Sequence, residues 1–208
     1  MLELPPIYPI TDKELAHKKD HLSILKELAR GGASLVQIRD KSTPANKLLA
    51  DLLRCADFAS GRNLTLIIDD RCDLVLSCGA DGVHLGLDDL PPKAARSILG
   101  EKCIIGYSMH SVSQVRNASS LPIQYIGFGP VFATMTKRDA KPPVGLKKLE
   151  LACRISTLPV VAIGGIGLSD IPGVLDSGAA SAAVISALMS APDIARRMEE
   201  FMEAAMGR

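Results

Sequence analysis

Residues 125–145 read YIGFGPVFATMTKRDAKPPVG, and this stretch contains one copy of the pattern that decides the fold. Its first part, Tyr125 to Val131, is apolar and rich in glycine, which predicts a buried β-strand. The strand leads into a polar loop that carries Thr134, Thr136 and Lys137 before it closes on two prolines. Hydroxyl and ammonium groups at the carboxyl end of a strand suit an anionic ligand, most simply a phosphate. Taken alone, the loop could also be solvated surface, so its role depends on the rest of the chain.

The order of apolar strand, polar loop and helix occurs eight times along the chain. Thr43 and Pro44, for example, predict the N-cap and first turn of the second helix. Because the strands are continuously apolar rather than alternating, they predict a parallel sheet that is buried on both faces. Eight such units fit a single-domain (β/α)8 TIM barrel over residues 1–208, and a doubly wound open sheet is the alternative. The predicted strands are Ile7 to Asp12, Ser34 to Asp40, Thr65 to Asp70, Gly82 to Gly86, Cys103 to Ser108, Tyr125 to Val131, Pro159 to Gly165 and Ser181 to Ala187.

Composition argues against several classes of partner. The 208 residues carry a formal net charge of +1, and with 3% aromatic residues and no Trp they offer no stacking platform for bases, so we expect no nucleic-acid partner. The apolar runs are too short to span a bilayer, and the first residues lack the pattern of a signal peptide. Five scattered Cys residues without a CxxC pair predict reduced thiols in a cytoplasmic protein.

Basic residues cluster at the end of the second strand. Gln37, Arg39 and Lys41 alternate, so an extended chain places all three on one face. Inward-facing cations in an otherwise apolar barrel need an anion, and Arg and Lys are both suited to phosphate oxygens. The alternative is an ion pair with a carboxylate of a neighbouring strand.

Acidic pairs follow the third and fourth strands. Asp69 and Asp70 end one strand, and Asp88 and Asp89 come shortly after the next. They could simply form salt bridges with the basic residues, but one or two carboxylates together with phosphate oxygens are the usual ligands of Mg2+. Mg2+ beside basic residues indicates a diphosphate ligand. His84, inside the fourth strand, is expected to be a core residue.

Later strands indicate a second phosphate site. Ser108 ends the fifth strand near His110, and we expect its hydroxyl to bind a ligand rather than to act as a nucleophile. Gly165 lies at the glycine-rich end of the seventh strand, and Ile185 and Ser186 end the eighth. The loops after these two strands commonly bind phosphate in barrels of this kind. A diphosphate site and a separate phosphate site suggest an enzyme that joins two phosphorylated substrates and releases pyrophosphate.

These motifs together resemble the thiamine phosphate synthase (thiamine-phosphate pyrophosphorylase) family over nearly the full chain. The segment of the form TxTKxDAxPPxG is highly specific, whereas VVAIGGI alone would be weak. In chain order the matching stretches are YPITD, QIRDK, DDRCDL, GVHLGLDDLP, GYSMH, YIGFGPVFATMTKRDAKPPVGL, VVAIGGI and AVIS.

The resemblance implies a transferase of thiamine biosynthesis with Mg2+ as its cofactor. It would join hydroxymethylpyrimidine diphosphate to hydroxyethylthiazole phosphate, or its carboxylated form, to give thiamine monophosphate and pyrophosphate. The diphosphate would leave first, and the thiazole nitrogen would attack the resulting pyrimidine methylene cation. Of the residues that match the motifs, Gln37, Arg39, Lys41, Asp69, Ser108 and Lys137 would bind the pyrimidine diphosphate; Arg39, Lys41, Ser108 and Lys137 would be catalytic; Asp70 and Asp89 would bind the metal; and Thr134, Thr136, Gly165, Ile185 and Ser186 would bind the thiazole phosphate.

The chain departs from the family pattern at two positions. Asp69 stands where the family often has Asn, and an ionised carboxylate cannot donate a hydrogen bond to a ring nitrogen as an amide can. It would therefore accept from the exocyclic amine, be protonated, or make a different contact. Leu87 replaces a frequent Gln. The rival functions are a thiazole tautomerase of the same barrel family, with a His near His110 for proton transfer, and a non-catalytic regulator that binds phosphorylated ligands. The sequence leaves the oligomeric state open, a homo-oligomer included.

Overall fold

The computed structural model describes residues 3–18, 20–134, 136 and 141–207. Its central feature is an eight-stranded sheet in which every pair of neighbouring strands is parallel. Each of the eight predicted strands overlaps an observed one. The strands are β1 (Ile7–Pro9), β2 (Leu35–Ile38), β3 (Thr65–Asp69), β4 (Gly82–Leu85), β5 (Ile104–Met109), β6 (Tyr125–Phe128), β7 (Val160–Ile163) and β8 (Ser181–Val184).

The sheet closes into a barrel. Neighbouring strands follow the chain order from β2 to β8, and β1 pairs with β8 in the register Tyr8 to Ala183. The remaining gap between β1 and β2 is bridged by Ile10 and Gln37, next to a 2.9 Å hydrogen bond from the Thr11 amide to the Gln37 carbonyl. The predicted TIM barrel is therefore confirmed.

Helices on the outside cover the strands. Their apolar faces and the outward strand residues form one large buried cluster, because a parallel sheet must be covered on both faces. In the described residues no helix has the length and apolar character needed to cross a membrane. The α-helices are α1 (His21–Arg30), α2 (Ala45–Ser60), α3 (Cys72–Cys78), α4 (Pro92–Leu99), α5 (Val112–Arg116), α6 (Gly145–Ile155), α7 (Ile171–Asp176), α8 (Ser186–Met189) and α9 (Ile194–Met206).

Several strands end earlier than predicted, and two differences from the predicted boundaries have a specific structural cause. Thr43 is not the N-cap of α2, because its hydroxyl donates to Asp40 Oδ2 at 2.8 Å and Pro44 occupies the cap position without a side-chain bond. Strand β8 ends at Val184 rather than at Ala187. The chain turns at Ile185, whose carbonyl accepts from the Met189 amide at 2.8 Å, and the short helix α8 follows.

The barrel interior holds two large rings beside glycines. A Cβ atom on Gly106 would lie 2.0 Å from Cζ of Tyr125, and one on Gly127 would lie 2.9 Å from Cε1 of His84. Real Cβ atoms do not approach other atoms so closely, so a larger residue at either position would require a ring to move. The two glycines therefore make the space in which Tyr125 and His84 lie.

Candidate active site

A cavity of about 360 Å³ opens at the carboxyl ends of the strands, where barrels of this kind place their active sites. One side is polar and is built by the residues that end β2, β3 and β4. The opposite side is formed by the segment after β6 and by the ends of β7 and β8, including Thr134, Thr136 and Ile185. Apolar side chains of the barrel interior, among them Ile10 and Val161, line the cavity as well. The cavity is thus wide enough to bring residues from most of the strands to one ligand.

The three alternating residues in and just after β2, Gln37, Arg39 and Lys41, converge on Asp69 at the end of β3. Gln37 Nε2 donates to Asp69 Oδ1 at 2.7 Å, while Asp69 Oδ2 lies 3.1 Å from Lys41 Nζ and 3.6 Å from Arg39 Nε. Lys41 Nζ also contacts a carboxylate oxygen of Asp70. The predicted shared face is confirmed, and so are the ion pairs with neighbouring carboxylates that were its alternative. Lys41 is nevertheless 51% exposed in its side chain, so it remains accessible to a ligand.

The pKa shifts follow from this arrangement. Burial raises the pKa of Asp69, and the positive charges of Lys41 and Arg39 offset only part of that effect. Burial lowers the pKa of Lys41, but the charges of Asp69 and Asp70 outweigh it and raise the pKa above its usual value. Lys41 is therefore a firmly protonated ammonium group at neutral pH.

Asp70 and Asp89 lie close enough to influence one another. Asp70 has a left-handed φ of 60°, and its amide donates to the His84 carbonyl at 2.8 Å. Asp89 Oδ2 accepts from the Gly86 amide at 2.7 Å. Burial raises the pKa of Asp89, and the neighbouring carboxyl of Asp70 raises it further. Two carboxylates that repel each other suit a divalent cation, which would relieve the repulsion.

Side chains in the described part of the chain do not alone supply enough oxygen atoms to coordinate a metal ion; a bound substrate would have to supply others. Among the residues that the structure describes, no three or more His, Cys, Asp or Glu side chains are grouped so that they could hold a metal ion. Mg2+ is commonly held by one or two carboxylates together with substrate phosphates and water. Asp70 and Asp89 fit that pattern if the ligand supplies the other oxygens.

Ser108 on β5 is bonded to His84, which sequence reasoning placed in the core. Ser108 Oγ lies 2.9 Å from His84 Nε2, and His84 Nδ1 lies 3.1 Å from the Tyr125 hydroxyl. Both Ser108 and His84 line the cavity, so His84 lies in the barrel interior, as expected, and its ring also borders the candidate site. The sequence GVHLG indicates this orientation of the ring, because the period of two in a strand places His84 on the face opposite to Val83 and Leu85.

His110 does not pair with Ser108. Its Nδ1 atom lies 2.6 Å from the carbonyl oxygen of Gly129, and its amide donates to the side chain of Gln114 at 2.8 Å. This agrees with the choice against a Ser108–His110 nucleophile. Burial likewise raises the pKa of the Cys72 thiol, which makes it a poor nucleophile at neutral pH.

The predicted residues for the second phosphate are only partly brought together. Thr134, Thr136 and Ile185 line the cavity, and the Thr136 amide donates to Thr134 Oγ1 at 3.3 Å. Gly165 and Ser186 are exposed neighbours of the lining and do not themselves line it. Gly165 has a φ of 67°, and a Cβ atom there would lie 2.3 Å from the Ala133 carbonyl oxygen, so glycine is needed where β7 meets the segment after β6. Lys137, predicted to contact the diphosphate, lies outside the described residues.

Comparison with known proteins assigns the barrel to a family. The model of the family described as thiamine monophosphate synthase matches residues 7–188. A thiamine-phosphate synthase of Persephonella marina is 40% identical over 200 residues, which cover 95% of each chain. Its counterpart from Hydrogenobaculum sp. is 38% identical over 197 residues, covering 95% of this chain and 92% of the relative. The structure of a thiamine phosphate pyrophosphorylase from Pyrococcus furiosus superimposes with a TM-score of 0.88 at 33% identity, covering 97% of this chain and 95% of that one. The chain therefore belongs to the thiamine monophosphate synthase family.

Proposed function

We propose that the cavity at the carboxyl ends of the strands carries out the thiamine-phosphate synthase reaction of this family, with the pyrimidine diphosphate at its polar side. In that reaction a carbon–nitrogen bond forms between the pyrimidine methylene and the thiazole ring. The bond from the methylene carbon to the diphosphate oxygen breaks, and pyrophosphate leaves. Thr134, Thr136 and Ile185, on the opposite side of the cavity, would hold the thiazole phosphate or its carboxylated form. The observation that carries the proposal is the convergence of Arg39 and Lys41 with the acidic ends of β3 and β4.

Arg39 and Lys41 are the groups that bind the departing diphosphate in this proposal. In the free protein their charges are balanced by Asp69 and Asp70. The planar Arg39 guanidinium suits two phosphate oxygens at once, and the ammonium group of Lys41 adds a point charge. Negative charge grows on the diphosphate as its bond to carbon breaks, and fixed cations stabilise that charge without further reorganisation. Lys137 would act in the same way.

Asp70 and Asp89 would hold Mg2+. When bound, the ion would neutralise part of the diphosphate charge. Asp69 differs in its role, because both of its oxygens already face Gln37 and the two cations. From the sequence, we expect Asp69 to accept from the exocyclic amine, to be protonated, or to make a different contact from that of an Asn amide. Its existing contacts favour the last of these. It would hold the side chains of Gln37, Arg39 and Lys41 in place until the substrate arrives.

The chemistry requires no nucleophile from the protein. The amino group on the pyrimidine ring can stabilise the positive charge that develops on the methylene carbon. The apolar floor of the cavity, which includes Ile10, Val161 and Ile163, would limit access of water to that carbon. The thiazole nitrogen then supplies the electron pair for the new bond.

Replacement of Asp70 by alanine tests the assignment. We expect Asp70→Ala to reduce the turnover number by at least roughly a hundredfold, the scale seen when one charge-stabilising group is removed. Thiamine phosphate formed from both substrates and Mg2+ is measured through its fluorescent oxidation product. Asp73→Ala is a matched control, because Asp73 lies in the nearby helix α3, 63% exposed, and pairs with Arg71. A near-normal rate for a folded Asp70→Ala protein would refute the proposed metal site. Isomerised thiazole without thiamine phosphate would indicate a tautomerase, and binding without turnover would indicate a regulator.

A further inference from the structure

Four polar side chains form a continuous hydrogen-bonded chain across the barrel interior. The Tyr8 and Tyr125 hydroxyls lie 2.7 Å apart, Tyr125 lies 3.1 Å from His84 Nδ1, and His84 Nε2 lies 2.9 Å from Ser108 Oγ. We refer to Tyr8, Tyr125, His84 and Ser108 as the Tyr–His–Ser chain. It begins at Tyr8 on β1, in the deeply buried part of the cavity lining, and ends at Ser108 on β5. Each link can be made in either direction, so the positions of the protons decide what the chain presents to a ligand.

The buried end of the Tyr–His–Ser chain selects one direction. Tyr8 is 1% exposed, and in the part of the chain that the structure describes its hydroxyl has no partner other than Tyr125. If each group donated toward Tyr8, the Tyr8 proton would be buried without an acceptor, which is unfavourable. If Tyr8 donates to Tyr125 and Tyr125 donates to His84 Nδ1, every buried proton has an acceptor. His84 Nε2 then donates to Ser108, whose own proton is free at the cavity.

Neighbouring glycines fix the positions of the rings in the Tyr–His–Ser chain, and burial keeps its members uncharged. Gly106 and Gly127 leave room for the rings of Tyr125 and His84 and for no larger residue at their own positions. Burial lowers the pKa of His84 to about 4, so the ring is neutral at pH 7 and has a single N–H group. Burial raises the pKa of both Tyr8 and Tyr125, so both hydroxyls keep their protons.

We propose that Tyr8, Tyr125 and His84 are positioning residues that fix the Ser108 hydroxyl as a hydrogen-bond donor to the substrate. The acceptor is a ring nitrogen of the pyrimidine, and this identification rests on the proposed function. A Ser hydroxyl normally rotates and can either donate or accept. Because His84 Nε2 donates to Ser108, the Ser108 proton is not donated to His84 and is left for a ligand atom that has a lone pair. A site built to donate one hydrogen bond discriminates strongly against an analogue that lacks the acceptor.

The tautomer of His84 gives a direct test on the free protein. Two-bond ¹H–¹⁵N correlation spectra of the protein labelled with ¹⁵N-histidine distinguish a protonated ring nitrogen from an unprotonated one, and His84→Gln identifies the signals. We expect Nε2 to carry the proton and Nδ1 to be unprotonated. Tyr8→Phe should leave this tautomer unchanged, because Tyr125 can still donate to Nδ1. A ring protonated at Nδ1 in the wild-type protein would overturn the proposed direction.

Kinetics test whether this direction matters to the substrate. Tyr125→Phe removes the donor to His84 Nδ1 and retains the ring beside Gly106. Without that donor, we expect His84 to populate both the Nδ1-protonated and the Nε2-protonated tautomer. We expect the KM for the pyrimidine diphosphate to rise about tenfold, the scale of one neutral hydrogen bond, with the KM for the thiazole phosphate unchanged. Tyr107→Phe is the matched control, because Tyr107 lies on β5 and its hydroxyl has no hydrogen-bond partner among the described residues.

The two tests separate the inference from the proposed function. Equal KM changes for both substrates, or no change in either, would overturn the positioning role of the Tyr–His–Ser chain. A wild-type protein with the expected tautomer but no synthase activity would instead overturn the proposed function, since the tautomer is measured without substrate.

Discussion

The buried imidazole of His84 should make the stability of the protein depend on pH in a defined window. Burial lowers the pKa of His84 from 6.5 to about 4, the charge of Lys41 lowers it further, and the charge of Asp89 opposes the shift. Between these two pKa values the unfolded chain binds a proton that the folded protein does not bind. The contribution to stability is therefore complete above the unfolded pKa and is lost as the pH falls toward the folded pKa. At about 1.4 kcal/mol per pKa unit, the loss amounts to about 3 kcal/mol.

Urea unfolding of the wild-type protein and of His84→Gln between pH 4 and pH 7.5 measures this effect. Glutamine does not ionise, so the difference between the two free energies of unfolding isolates His84 from the other groups that titrate in this range. We expect the wild-type advantage to shrink by about 3 kcal/mol as the pH falls from 7.5 to 4. Parallel curves for the two proteins would refute the reasoning, because they would mean that folding does not change the proton affinity of His84.

Two further predictions concern stability. Gly106→Ala places a methyl group 2.0 Å from Cζ of Tyr125, and we expect a loss of about 1–3 kcal/mol in urea unfolding. Gly61→Ala, with nothing within 4 Å of its Cβ position, is the control, and equal stabilities would contradict the steric argument. Burial would raise the pKa of Asp40, but hydrogen bonds from His21, Lys13 and Thr43 outweigh it and hold the pKa far below its usual value. This contribution is present above the unfolded pKa of about 3.9 and is lost as the pH falls below it. Asp40→Asn should therefore cost about 2–4 kcal/mol at pH 7 and much less at pH 2, and a cost independent of pH would refute this.

Strand positions could be predicted from the sequence because burial on both faces leaves a continuous apolar run. The direction of each side chain was harder to predict, because a fully apolar strand gives no contrast between its faces. Strand β4 is an exception, because its polar His84 provides that contrast: Val83 and Leu85 are buried behind the sheet, while the His84 ring faces the cavity. The polar residues after β2 had a clear alternation, and their shared face was predicted correctly.

Predictions from local sequence failed where another residue bound the same group. Thr43 has the sequence context of an N-cap, but Asp40 accepts from both its amide and its hydroxyl. The contacts of Asp69 with Gln37, Arg39 and Lys41 depend on the register of β2 against β3, in which Gln37 lies beside Ile67. The register between two strands cannot be predicted from the residue pattern of either strand alone. The roles of the individual site residues therefore remain predictions for the experiments above.

The fit of Tyr125 beside Gly106 and of His84 beside Gly127 has a consequence for divergence within the family. Neither glycine can acquire a side chain while the opposite ring stays in place, since the two would overlap. Substitutions at positions 106 and 125 should therefore arise as coupled pairs, and so should those at positions 84 and 127. A lineage that acquires alanine at position 106 avoids the loss of stability only with a smaller residue at position 125, and with the tyrosine it would lose the hydroxyl beside His84.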